Sequence, residues 1–139
     1  MASTSVSRVV PASPARVWEV IGGFGSLPDW LPYIPESTFS EGGRVRHLKN
    51  PEGDPIVERL MAFDEEHRFY SYHILQAPFP VVDYLSTLRV YGISGNENAA
   101  EVQWSGRFVP SGATDEEVVD LFTGIYRDGL DALVKTLGG

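Results

Sequence analysis

At 139 residues the chain has the length of one ordinary domain, long enough to bury roughly two-thirds of its unfolded surface and hold a core without staples. It contains no cysteine, which removes disulfides, thiolate metal sites and a cysteine nucleophile. A formal net charge of −8, with 11 scattered basic residues, argues against a nucleic-acid partner, and no apolar run approaches the ~20 residues of a membrane span. The start, MASTSVSRVV, lacks the apolar segment of a secretory signal, so the expected location is cytoplasmic.

Residues 3–10, STSVSRVV, form the first strand candidate. Ser13 followed by Pro14 has the form of an N-cap with proline in the first turn, and the helix 14–22 places Val17, Val20 and Ile21 on one stripe before Gly22-Gly23 stop it. The aromatic, proline-rich stretch FGSLPDWLPYIP predicts a second short helix at 26–31. Strands are then expected at 36–40, 43–49, 56–64, 67–76, 83–93 and 99–109, divided by Gly-, Pro- and Asn-containing turns into consecutive antiparallel hairpins. At the end, Thr114-Asp115-Glu116-Glu117 reads as a capping box. Behind it Val118, Phe122, Ile125, Tyr126, Leu130, Leu133, Val134 and Leu137 recur at helical spacing, predicting a long helix over 115–137.

The strand at 83–93 poses the functional question. One face carries Tyr84, Ser86, Leu88 and Val90, so two hydroxyls alternate into an otherwise apolar surface. They either bond to backbone inside a filled core or line a chamber.

The element order and the motifs together resemble a known family. Pro11-x-x-Pro14-x-x-Val17-Trp18 followed by Trp30 is similar to the opening of the SRPBCC, or polyketide cyclase/dehydrase-like, bacterial proteins, and the segments 58-ERLMAFDEEHRFYSYHI-74 and 84-YLST-87 also resemble the plant abscisic-acid receptors. The resemblance spans the whole chain. It implies the α+β helix-grip fold of the START-like and pollen-allergen superfamily: a curved antiparallel seven-stranded sheet wrapped around the long C-terminal helix, with two short helices after strand 1, in a single domain, 1–139. It also implies an internal cavity between sheet and helix. Two loops depart from the receptor pattern, since 49-KNPEGDP-55 and 77-APFPVV-82 stand where those proteins carry their gate and latch, and Leu31 stands where they carry the lysine that anchors the hormone. The receptor role is therefore not carried over.

Carried onto this chain, alternation expects Val45 and His47 to face inward from one strand, Glu58, Leu60 and Ala62 from the next, Tyr70, Tyr72 and Ile74 from the third, and Tyr84, Ser86 and Leu88 from the fourth. Phe122, Tyr126 and Leu130 face them from the helix, and Trp30, Tyr33, Phe79 and Val81 are expected at the mouth. The expected function is binding of a small hydrophobic or aromatic molecule in a pocket of a few hundred Å3. The alternative is a cyclase- or dehydratase-like enzyme in which His47 and Glu58 act as a general acid/base couple on an enolisable carbonyl substrate. The three histidines lack ligand-like spacing, so neither metal nor cofactor is expected, and the protein is expected to be a monomer or a homodimer.

Overall fold

The computed structural model describes residues 1–138. The elements run β1 (Ala2–Val10), α1 (Pro14–Ile21), α2 (Leu27–Trp30), β2 (Glu36–Ser40), β3 (Val45–Lys49), β4 (Pro55–Asp64), β5 (Phe69–Gln76), β6 (Val81–Ile93), β7 (Asn96–Pro110) and α3 (Asp115–Thr136), with a single 3-10 turn at Glu41–Gly43. The seven strands form one antiparallel sheet in the order β1-β7-β6-β5-β4-β3-β2. From β2 to β7 each strand pairs with the next in sequence, because tight turns make that the cheapest connection. Only β1 must be reached from a distance, where it pairs along its whole length with β7.

Local chemistry sets the helix ends. Ser13 accepts a hydrogen bond from the Arg16 amide at 3.2 Å, with Pro14 in the first turn of α1. For α3, Thr114 accepts from the Glu117 amide at 3.1 Å while Glu117 accepts from the Thr114 amide at 3.0 Å, the reciprocal capping box. The apolar stripe Val118, Phe122, Tyr126, Leu130 and Leu133 then lies against the sheet, all five fully or nearly fully buried. An Arg8–Asp131 ion pair at 2.9 Å joins α3 to the edge strand β1.

Of the four register shifts between paired strands, two bear on the interior. The pairing of β4 with β5 slips between Leu60 and Ala62, and that of β6 with β7 slips between Val82 and Leu85, where Asp83 takes a φ of 51°. The first slip overturns part of the expected alternation. Ala62 is exposed rather than inward, because the bulge inserts an extra residue and resets which side chains face the core.

Candidate functional site

The β3–β4 hairpin decides the polar chemistry of the interior, and here the expected register was one residue out. Arg46 pairs with Glu58 and His47 with Val57, so Arg46 and Leu48 point inward while His47 is exposed. The His47 ring bonds to Ser40 on the outside of the sheet at 2.7 Å. His47 and Glu58 thus lie on opposite faces, and no acid/base couple forms between them. Val45 shares the His47 side of the strand and is buried outside the inner core cluster. The physical reason is the period of two: one step of register exchanges every side chain between faces.

Arg46 takes the place expected for His47. It is 1% exposed and Glu58 6%. Its Nε donates to Glu58 Oε1 at 2.8 Å, and Nη2 lies 2.7 Å from the same oxygen in the ion pair. Nη1 donates to the Phe24 carbonyl at 3.0 Å and to the Tyr70 hydroxyl at 3.3 Å, and the guanidinium lies 4.2 Å from the Phe24 ring centre and 4.7 Å from that of Tyr72. Burial alone would lower the Arg46 pKa, but Tyr70, Glu58 and Tyr72 more than offset it, so the cation is held firmly. Burial raises the Glu58 pKa above the ordinary carboxylate range, and the Arg46 charge and hydrogen bond pull back part of that rise. The hydrogen bond and the ion-pair contact from Arg46 both fall on one oxygen of Glu58. Its second oxygen, Oε2, has no hydrogen-bond partner among the described residues.

The opposite end of the interior is neutral and closed on itself. Ser86 donates to the Ser105 carbonyl at 2.7 Å and accepts from Trp104 Nε1 at 3.0 Å and from the Tyr126 hydroxyl at 3.4 Å. Tyr126 also shares a hydrogen bond with the Tyr84 hydroxyl. With the Tyr126 proton directed at Ser86, Tyr84 must be the donor of that pair, which accounts for every proton in the chain. Trp104 Nε1 also donates to the Tyr72 hydroxyl at 3.1 Å. Gly106 makes this possible, since a Cβ there would stand 2.2 Å from the Tyr126 hydroxyl. Burial pushes the Tyr126 pKa up to about 12, so this network is neutral at physiological pH.

Between the two ends lies a cavity of about 40 Å3. That is room for roughly three waters, not the few hundred Å3 expected. Of the expected residues, Glu58, Tyr33, Tyr72, Ile74, Phe79, Tyr84, Phe122 and Tyr126 line it. Trp30, Tyr70, Ser86, Leu88 and Leu130 are buried behind that wall, with Leu60 and Val81 partly buried against the core and also outside it. For Ser86 the backbone-bonded reading of its hydroxyl is the one the structure shows; Tyr84 is both bonded and part of the wall. The sequence reading missed Leu27, Leu31, Ile34, Arg46, Leu48, Ile56, Trp104 and Ile125. Arg46 could have been found by anchoring the strand on Leu48, since alternation then sends Arg46 inward with it.

A family model described as polyketide cyclase / dehydrase and lipid transport matches residues 1–138. The chain belongs to that family. It is similar to the protein XoxI of Bacillus cereus, with 54% identity over 99% of this chain and 96% of that one and a TM-score of 0.96. A Bacillus thuringiensis protein matches at 51% identity over 98% of each chain, again with a TM-score of 0.96. A START superfamily protein from Mycobacterium smegmatis, 14% identical over 99% of this chain and 97% of its own, superposes with a TM-score of 0.81, which shows the shared helix-grip fold. A search of curated proteins found no match. Among the described residues, no helix is long and apolar enough to cross a membrane.

Proposed function

We propose that the protein binds a small, largely hydrophobic molecule between the sheet and α3, in the space now reduced to the 40 Å3 cavity. The observation that carries this reading is the largely buried Glu58 carboxylate, whose Oε2 accepts no hydrogen bond among the described residues, set in a cavity wall otherwise made chiefly of apolar and aromatic side chains. An occupant that donates a hydrogen bond to this oxygen would add a net contribution of about 1 kcal/mol. Membership of a family described by polyketide cyclisation and lipid transport supports a ligand of that apolar class. Binding rather than acid/base catalysis is favoured by the outward His47, which leaves Glu58 without the second titrating partner that the enzyme reading assigned to it.

Native mass spectrometry of purified protein is the direct test. The expected result is a retained small molecule, or uptake of an added apolar dye that is weakened by Tyr126→Trp, which fills the cavity. A protein that takes up no apolar molecule would overturn the reading.

A further inference from the structure

The outer face of the sheet carries a second polar centre, on the side away from α3. Across β1, β7 and β6 the pairing register sets outward residues in rows, Ser5, Ser105 and Thr87 in one, and Ser3, Arg107 and Leu85 in the next. With Gln103 these rows line an open hollow of about 530 Å3. No carboxylate stands in its lining, although the chain has 19 acidic residues against 11 basic ones. Arg8, Arg16, Arg46, Arg59 and Arg127 each have a carboxylate partner, and Arg89 is held over the rings of Phe69 and Tyr91. Arg44 and Arg68 stand in turns outside the hollow. Arg107 is exposed in it, and its side chain has no ion pair, hydrogen bond or ring contact among the described residues. The hydroxyls beside it are only partly engaged. Ser5 accepts from Gln103 Nε2 at 3.0 Å and Thr87 bonds to Ser71 at 2.8 Å, while the side chains of Ser3 and Ser105 have no hydrogen-bond partner among the described residues.

We infer that this hollow is a binding site for a phosphate monoester with a hydroxylated body, the chemistry of a sugar phosphate. Arg107 takes the phosphoryl oxygens, and the Ser3, Ser5 and Ser105 hydroxyls meet the body. The site lies across the sheet from the inner cavity and does not depend on what that cavity binds. The anion follows from Arg107, because a planar guanidinium with free donors pairs bidentately with phosphate, and no carboxylate in the lining competes for it. The body follows from the floor. Serine hydroxyls donate and accept, as sugar hydroxyls do, and Leu85 is the one large apolar side chain in the lining. Gln103, which accepts from the Tyr91 hydroxyl at 3.4 Å, holds Ser5 in place at the edge of that floor. A nucleic acid fits less well, since the hollow offers one cation while the chain as a whole carries a net charge of −8.

Titration of the isotope-labelled full chain with glucose-6-phosphate, inorganic phosphate and glucose, followed by amide chemical shifts, tests this. Glucose-6-phosphate is expected to move the amides of Ser5, Thr87, Ser105 and Arg107, and to bind at least tenfold more tightly than either inorganic phosphate or glucose. Arg107→Gln is expected to weaken glucose-6-phosphate by about tenfold or more, the worth of a charge-assisted hydrogen bond. The exposed position of that side chain keeps the fold intact in the variant. Arg127→Gln removes the same charge from α3, on the far side of the sheet, and is expected to leave the affinity unchanged. Equal losses in the two variants would reduce the effect to net charge and overturn the site. Equal affinities for glucose-6-phosphate and inorganic phosphate would overturn the hydroxylated body. Shifts with none of the three ligands, or shifts confined to other residues, would overturn the whole inference. The apolar-dye result for the inner cavity stands or falls separately from all of these.

Discussion

The two ends of the interior solve the same problem, polar atoms out of water, in opposite ways. Around Ser86 four neutral groups bond one another and a backbone carbonyl, so every donor in the Tyr84–Tyr126–Ser86 chain is used. Around Glu58 a full ion pair is buried, yet both Arg46 contacts fall on one oxygen and the other is left over. A closed neutral network stiffens a core and asks for nothing more. An ion pair with a spare acceptor is costly to bury and is completed only by something that enters. The difference assigns a structural task to the β6–β7 end and the recognition task to the β3–β4 hairpin.

The comparison can be broken most sharply at Arg46. Arg46→Met leaves Glu58 buried and unpaired and should cost about 3–5 kcal/mol in urea unfolding, whereas Arg46→Met combined with Glu58→Leu should recover most of that loss. Equal destabilisation by single and double variants would show that the guanidinium acts by packing on Phe24 and Tyr72 instead. Phe122→Ala is next. This ring, 2% exposed, meets Phe79, Tyr84, Phe108 and Tyr126 and should cost about 3 kcal/mol, the low end for a buried phenylalanine because it already borders a void. A loss under about 1 kcal/mol would mean that the ring is not packed as described.

At the neutral end, Tyr84→Phe removes one hydrogen bond while Tyr126 keeps its bond to Ser86, so a loss of about 1 kcal/mol is expected in urea unfolding. The smallest effect is the pH dependence. Because burial raises the folded-state pKa of Glu58 above its ordinary value of 4.5, its contribution to stability is present below that value and declines as pH rises through the raised one. The stability difference between the native chain and Glu58→Gln should therefore shift in favour of the variant as pH rises over that window. An ion pair strong enough to lower the Glu58 pKa would give the opposite slope.

Element order, the Thr114 capping box and the α3 stripe were legible in the sequence, because each is written in local periodicity or in a short motif; the inward run Tyr70, Tyr72, Tyr84 and Ser86 was legible once alternation was anchored by the family resemblance. Glu58 was legible as an inward carboxylate because the ERL segment resembles that of the plant abscisic-acid receptors. Its partner was not. Val45, Arg46, His47 and Leu48 read plausibly in either register, and a five-residue strand holds too few alternations to choose between them. The Ala62 error has a related origin, since a bulge leaves no mark in a pattern of single residues.

By itself, the sequence determined the order of helices and strands, since patterning and caps act over a few residues, while the helix-grip architecture was implied by its resemblance to a known family. Only the tertiary structure decided that Arg46 rather than His47 meets Glu58, and that the chamber closes down to about 40 Å3. Those outcomes depend on strand register and on how rings from β5, β6, β7 and α3 fill the space between them. Both are settled by long-range packing, which no local stretch of the chain encodes.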